Sequence, residues 1–201
     1  MGTSSVGIID IGMGNISSVK NSLGKIGFEA KLIQNSDELS VDILFLPGVG
    51  AFPEAMKRLT AGGLDAKIQD YCASGGILVG ICLGMQLLFE SSQEEGGALG
   101  LGLLAGNVVP LDVSDKFVVP HMGWNKIESP YDEYSEFEGD VYFVHSFKCV
   151  PRHREDIIFE CFYDEKICAA VKRGNIFGFQ FHPEKSQHLG LKILREVILN
   201  A

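Results

Sequence analysis

Positive charge is scarce in this chain: 17 Lys and Arg face 26 Asp and Glu, a net charge of −9 with no basic cluster to offset it. That balance argues against nucleic acid or an anionic membrane as the main partner, because both are bound through a cationic surplus. No basic segment precedes a long apolar stretch near the start, and position 6 is Val where myristoylation wants a hydroxyl. Neither secretion nor membrane anchoring is expected. The five cysteines, at 72, 82, 149, 161 and 168, include no Cys-x-x-Cys pair and sit mostly in apolar runs, the pattern of reduced thiols in a cytoplasmic protein. The five histidines, at 121, 145, 153, 182 and 188, show no ligand spacing, so no metal is expected. There is no repeat, low-complexity tract or linker. A chain of 201 residues, 46% hydrophobic and 21% charged, is expected to form one domain, 1–201, with a sizeable core.

Apolar periodicity predicts strands at 6–11, 30–33, 43–46 and 77–81, alternating with helices at 16–26, 53–59, 64–73 and 83–90. Alternation of this kind implies an α/β fold, an open and mostly parallel sheet flanked by helices. The C-terminal half changes character. Short strands at 107–111, 125–128, 141–144, 157–163, 167–172 and 176–181 are expected to add antiparallel strands, and an amphipathic helix at 187–200 closes the chain. Gly12-Met13-Gly14-Asn15 follows the first strand as a dinucleotide loop would, but position 17 is Ser and the second strand lacks an acidic tip. No nucleotide cofactor is expected there, nor any other cofactor.

Gly80-Ile81-Cys82-Leu83-Gly84-Met85-Gln86 follows the apolar run 77–79. Glycines around a cysteine at a strand-to-helix turn suit a nucleophile elbow, with the N–H of Leu83 free to lower the thiol's pKa and hold an oxyanion. A lone Cys in a buried strand is the plainer account. Phe181-His182-Pro183-Glu184 shifts the odds, because His182 and Glu184, two apart in extended chain, project to one side and make a base with an orienting carboxylate. Pro47-Gly48-Val49-Gly50 ends another strand, and its Val49 and Gly50 amides can reach the same oxyanion.

Taken in chain order, Pro-Gly-Val-Gly, then Gly-Ile-Cys-Leu-Gly-Met-Gln, then Phe-His-Pro-Glu, these three segments resemble the class I, triad-type glutamine amidotransferases. Pro120-His121-Met122-Gly123-Trp124-Asn125 and Tyr142-Phe143-Val144-His145-Ser146 are similar, more narrowly, to the glutaminase subunits of imidazole glycerol phosphate synthase, over about 7–197. The resemblance implies hydrolysis of L-glutamine through a Cys82 thioester, with His182 as base and Glu184 as its partner. It also implies glutamine contacts from Gln86, Glu94, His145, Ser146 and Phe147. For Glu94 the default is a solvated acidic run, and Gln86 alone would be an exposed residue of a first helical turn. His145 has no carboxylate at a comparable offset and is not a triad candidate. Asn15, His121, Met122, Trp124, Asn125 and Lys185 are implied to face a cyclase subunit with a (β/α)8 barrel, in a heterodimer that makes imidazole glycerol phosphate and AICAR for histidine biosynthesis. The segment 120–125 is read as a polar-aromatic loop. An amidotransferase with another acceptor, a cysteine peptidase and a relic interaction subunit remain as alternatives.

Overall fold

The computed structural model describes residues 4–200. The chain runs β1 (Val6–Ile9), α1 (Ile16–Lys25), β2 (Ala30–Ile33), β3 (Ile43–Gly48), α2 (Phe52–Ala61), α3 (Leu64–Ala73), β4 (Ile77–Cys82), α4 (Leu83–Leu87), β5 (Phe89–Ser92), β6 (Ala98–Leu99) and β7 (Leu104–Pro110). It continues through β8 (His121–Glu128), β9 (Gly139–His145), β10 (Phe147–Pro151), β11 (Ile157–Tyr163), β12 (Glu165–Arg173), β13 (Ile176–Phe179) and α5 (Gln187–Leu199). Nine strands form one sheet in the order β2-β1-β3-β4-β13-β12-β11-β8-β9. From β2 to β13 the neighbours are parallel, and from β13 to β9 they are antiparallel. The sheet divides by chain region except at β13, a late strand that joins β4 in parallel and so carries the parallel half into the C-terminal part of the chain.

The parallel strands are apolar without a break because both faces are covered. Val19 and Leu23 of α1 with Ile193, Leu194 and Val197 of α5 pack on one face against Ile8, Phe45 and Phe179. On the other, Phe52 and Leu59 of α2, Ile68 of α3 and Leu83 of α4 meet Leu44 and Leu46. A second sheet, β10-β7-β5-β6, extends this layer through Leu104, Val108 and Cys149. Among the described residues no helix is long and apolar enough to cross a membrane.

Two more expectations are corrected, and some strands are new. The helix expected over 83–90 stops at Leu87, and Phe89–Ser92 is a strand. The backbone of 101–104 takes the carbonyls that would continue the helix: Leu101 N donates to Leu87 O at 2.8 Å, and Leu103 N and Leu104 N both donate to Leu88 O at 2.9 Å. The segment 120–125 is not a loop beyond Pro120, since His121 begins β8 and pairs with His145 of β9. The strand β10 and the short β5 and β6 have no counterpart in the periodicity; β10 buries only Cys149, too little for a period to register.

Parallel order then does what sequence separation hides. β3, β4 and β13 lie side by side, with Gly48 opposite Cys82 and Ile81 opposite Phe179. Their carboxyl ends therefore deliver Val49 and Gly50, Cys82, and the segment 180–184 to one edge, the place where open α/β sheets bind ligands.

Candidate active site

Cys82 ends β4 with φ 54° and ψ −110°, a conformation that costs a side-chain-bearing residue about 1–3 kcal/mol and persists only where its surroundings enforce it. What enforces it here is Gly84. A Cβ at position 84 would lie 1.6 Å from the Leu46 carbonyl oxygen, so only glycine lets α4 sit this close to β3. Gly84→Ala must push α4 off the sheet, and is expected to cost about 3 kcal/mol or more. A thermal midpoint lowered by roughly 10 °C in calorimetry is the expected reading; an unchanged one would refute the close-approach account.

His182 and Glu184 are paired. His182 Nδ1 lies 2.8 Å from Glu184 Oε1, and both side chains are nearly sealed from solvent. Ser186 Oγ donates to His182 O at 2.7 Å and accepts from Tyr142 N, while His182 N donates to Tyr142 O at 2.8 Å, which fastens this turn to β9. Burial opposes charge on the ring, but hydrogen bonding to Cys82 and to Glu184, with their negative charge, outweighs it and raises the His182 pKa to about 10. No hydrogen bond of ordinary geometry closes between the two side chains: His182 Nε2 is buried and unpartnered, and Cys82 Sγ lies 3.7 Å from Val144 O. Catalytic hydrogen bonds are commonly loose before substrate arrives.

The other cysteines differ in setting. All five thiols are free, and burial raises the pKa of Cys72, Cys149, Cys161 and Cys168, to about 12 for Cys72 and Cys161. Cys82 lines a cavity of about 300 Å³ together with Val49, Gly50, Leu83, Gln86, Glu94, Pro120, Val144, His145, Ser146 and Phe147. Every residue expected to touch glutamine or its oxyanion lines this space. Gly50, at φ +109°, holds a turn that carries the Val49 and Gly50 amides to the cavity wall.

Two of these side chains are already engaged. Gln86 Nε2 donates to Phe147 O at 3.1 Å and to Gln180 Oε1 at 3.2 Å, so its NH2 is spent holding the wall and only its carbonyl oxygen is left for a ligand. Glu94 Oε2 accepts from Phe52 N at 2.8 Å and supplies α2 with the N-terminal acceptor that Ala51 lacks. Gln180 was not anticipated. It is fully buried and its Nε2 lies 3.9 Å from the Cys82 sulfur. The signal was there, an amide interrupting the apolar run 176–181 beside the histidine motif.

Residues 7–201 match the family model of glutamine amidotransferase class-I. The chain belongs to that family. This amidotransferase is 42% identical over 198 residues to the imidazole glycerol phosphate synthase subunit HisH of Wolinella succinogenes, covering 94% of this chain and 97% of the relative. The HisH subunit of Bacillus subtilis is 44% identical over 200 residues, covering 95% and 94%. At this identity and coverage the amidotransferase belongs with the HisH subunits. Solved structures share its fold at lower identity. A glutamine amidotransferase crystal structure superposes with TM-score 0.79 at 18% identity over both whole chains, and PurLQS from Thermotoga maritima with 0.76 at 17% over 99% of each.

The residues implied to face a partner divide. Met122 and Trp124 are 62% and 49% exposed, and Trp124 meets Tyr142 edge-on at 6.0 Å, with Lys185 Nζ 5.6 Å from the same ring. These four make one outward cluster. Asn15 instead caps α1, accepting from Ser18 N at 3.4 Å. His121 points the other way and is buried at 2% exposure, because a strand alternates: Met122 and Trp124 go out, His121 and Asn125 go in. A direct partner contact through the His121 ring is therefore withdrawn.

Proposed function

We propose that the whole chain, 1–201, acts as one domain that hydrolyses L-glutamine to glutamate and ammonia, with Cys82, His182 and Glu184 as its catalytic residues. The observation that carries this is the junction of three strand ends, where a thiol and the Val49, Gly50 and Leu83 backbone line one small cavity and a buried histidine backed by a carboxylate follows the adjoining strand. His182 accepts the Cys82 proton and the sulfur attacks the side-chain amide carbon. The N–H groups of Leu83, Val49 and Gly50 hold the negative oxygen of the tetrahedral intermediate. The imidazolium gives its proton to the departing nitrogen, ammonia leaves, and a thioester remains. Water, deprotonated by His182, then attacks the thioester and releases glutamate and the free thiol. Glu184 keeps its charge throughout, orienting the ring and stabilising its cationic form. Gln86 through its carbonyl oxygen, Glu94, and the 145–147 backbone are the glutamine contacts.

Membership among the HisH subunits supports a second step, transfer of the ammonia to a cyclase subunit that makes imidazole glycerol phosphate and AICAR in histidine biosynthesis. Ammonia lost to neutral water becomes ammonium, which is no nucleophile, so a sealed junction between subunits makes chemical sense. The outward cluster of Met122, Trp124 and Lys185 is the face we assign to that partner, a (β/α)8 barrel. The test is glutamate release by the chain alone, with the cyclase, and with the cyclase plus its nucleotide substrate. A rise of about tenfold or more on assembly is expected, and equal rates in all three would refute the coupling.

A further inference from the structure

His121 and His145 form a buried pair, and their hydrogen bonds run in one direction from the outside of the molecule to the cavity. His145 Nδ1 lies 2.9 Å from Phe147 O, His145 Nε2 lies 2.9 Å from His121 Nδ1, and His121 Nε2 lies 3.2 Å from Asn125 Nδ2. Both ends of this chain are fixed by the backbone. A carbonyl only accepts, so His145 must carry its proton on Nδ1. Asn125 Oδ1 accepts from Lys126 N at 2.8 Å while its Nδ2 donates to Phe162 O at 2.9 Å, so the amide cannot turn over. One arrangement satisfies everything between: Asn125 donates to His121 Nε2, His121 Nδ1–H donates to His145 Nε2, and His145 Nδ1–H donates to Phe147 O.

The pair is built to stay neutral. Burial lowers the pKa of His121 to about 4 and of His145 to about 3, and a proton on either acceptor nitrogen would set two N–H groups against each other. Ring packing holds His121 in position, with Phe143 stacked at 4.6 Å and Tyr163 at 3.9 Å. At the inner end, Phe147 O is a junction. It accepts from His145 and from Gln86 Nε2, whose second hydrogen goes to Gln180, whose amide in turn reaches the Cys82 sulfur. Neither histidine touches the triad through this route; what they hold is the backbone of 145–147, one wall of the cavity.

We propose that His121 is a positioning residue for glutamine: through the tautomer it imposes on His145, it fixes the Ser146–Phe147 wall and ties that wall to Asn125 and Phe162 on β8 and β11. The inference rests on the proposed glutaminase reaction. Loss of a wall that holds substrate and transition state equally raises KM and leaves kcat alone.

The test pairs two substitutions with a spectrum, using the full chain assembled with its cyclase for the kinetics. His121→Phe keeps the ring and its stacking and deletes the donor, and should raise the glutamine KM about tenfold with kcat within twofold. His121→Asn loses the stacking, yet its amide nitrogen reaches the place of Nδ1 and should return KM to within about threefold of native. A purely structural role predicts the reverse order, since the stacked Phe would be the milder change. In the native chain, two-bond proton–nitrogen spectra should show both rings as the Nδ1–H tautomer, unchanged from pH 5.5 to 8. A His121→Phe KM within twofold of native, a worse KM for Asn than for Phe, or an Nε2–H tautomer at either ring overturns the proposal. The spectrum keeps it falsifiable should a variant not fold. Glutamate release that survives Cys82→Ser would instead overturn the reaction itself, so the two failures are separable.

Discussion

Exchanging Cys82 for alanine is expected to abolish glutamine hydrolysis, lowering kcat by roughly a millionfold, the scale of loss when the nucleophile of a working triad is removed. The effect is this large because no other group in the cavity can take over the attack. The remaining cysteines are buried with raised pKa values, and the Gln86 amide is held by Phe147 and Gln180. The fold should survive. Alanine meets the same φ of 54° that cysteine does, and one sulfur with weak contacts at 3.7 and 3.9 Å is lost, so thermal stability should change by about 1 kcal/mol or less. Glutamate release followed by a coupled assay, beside a melting curve of the same preparation, separates chemistry from folding. Native turnover in the alanine variant would sink the triad, and with it the case against a relic or differently acting subunit.

Glu184→Gln should cost less, about 10²- to 10⁴-fold in kcat, leaving a measurable residue. The amide fills the same space but can turn its NH2 toward His182 Nδ1, which is 2.8 Å away and needs an acceptor. The ring also loses one of the anions that hold its pKa at about 10, so it gives up its proton at lower pH. The sign follows for stability. A folded-state pKa raised above the ordinary 6.5 contributes stability that is fully present below pH 6.5, declines above it, and is gone once pH passes about 10. The native chain should therefore exceed the Gln variant in stability most clearly near pH 6, with the gap closing towards pH 10. Chemical denaturation at a series of pH values, with kcat profiles beside it, measures both. An unchanged rate, or a stability gap that widens with pH, contradicts the role given to this carboxylate.

How much could be read in advance differs from element to element, for physical reasons. Ala30–Ile33, Leu64–Ala73 and Ile157–Tyr163 stand where periodicity put them, since each has a bounded apolar pattern and punctuating turn residues. The stretch 83–89 is buried on all sides, so its apolar run has no period from which to tell helix from strand. Only the capture of the Leu87 and Leu88 carbonyls by a loop 14 or more residues later in the chain decides it. The run 120–125 looked like a loop because it holds Pro, Gly and Asn. Read instead with a period of two, it already separates Met122 and Trp124 from His121 and Asn125, which is the division found. Gln86 and Glu94 line the cavity beside Cys82, but their hydrogen bonds to Phe147, Gln180 and Phe52 depend on neighbours 42 to 94 positions away.

Residue order alone determined the chemical inventory: a cysteine at a glycine-flanked turn, a histidine two before a carboxylate, a net charge of −9, and the α/β alternation that calls for parallel strands. Those are local facts, set by neighbours within a few positions. That β3, β4 and β13 are adjacent, so that the thiol and the histidine a hundred residues on come to one edge of the sheet, was decided by its packing. So were the inward turn of His121 and the direction of the hydrogen bonds through it. The reason is the same in each case: burial and hydrogen-bond satisfaction are properties of the whole molecule, minimised together, and no segment carries them by itself.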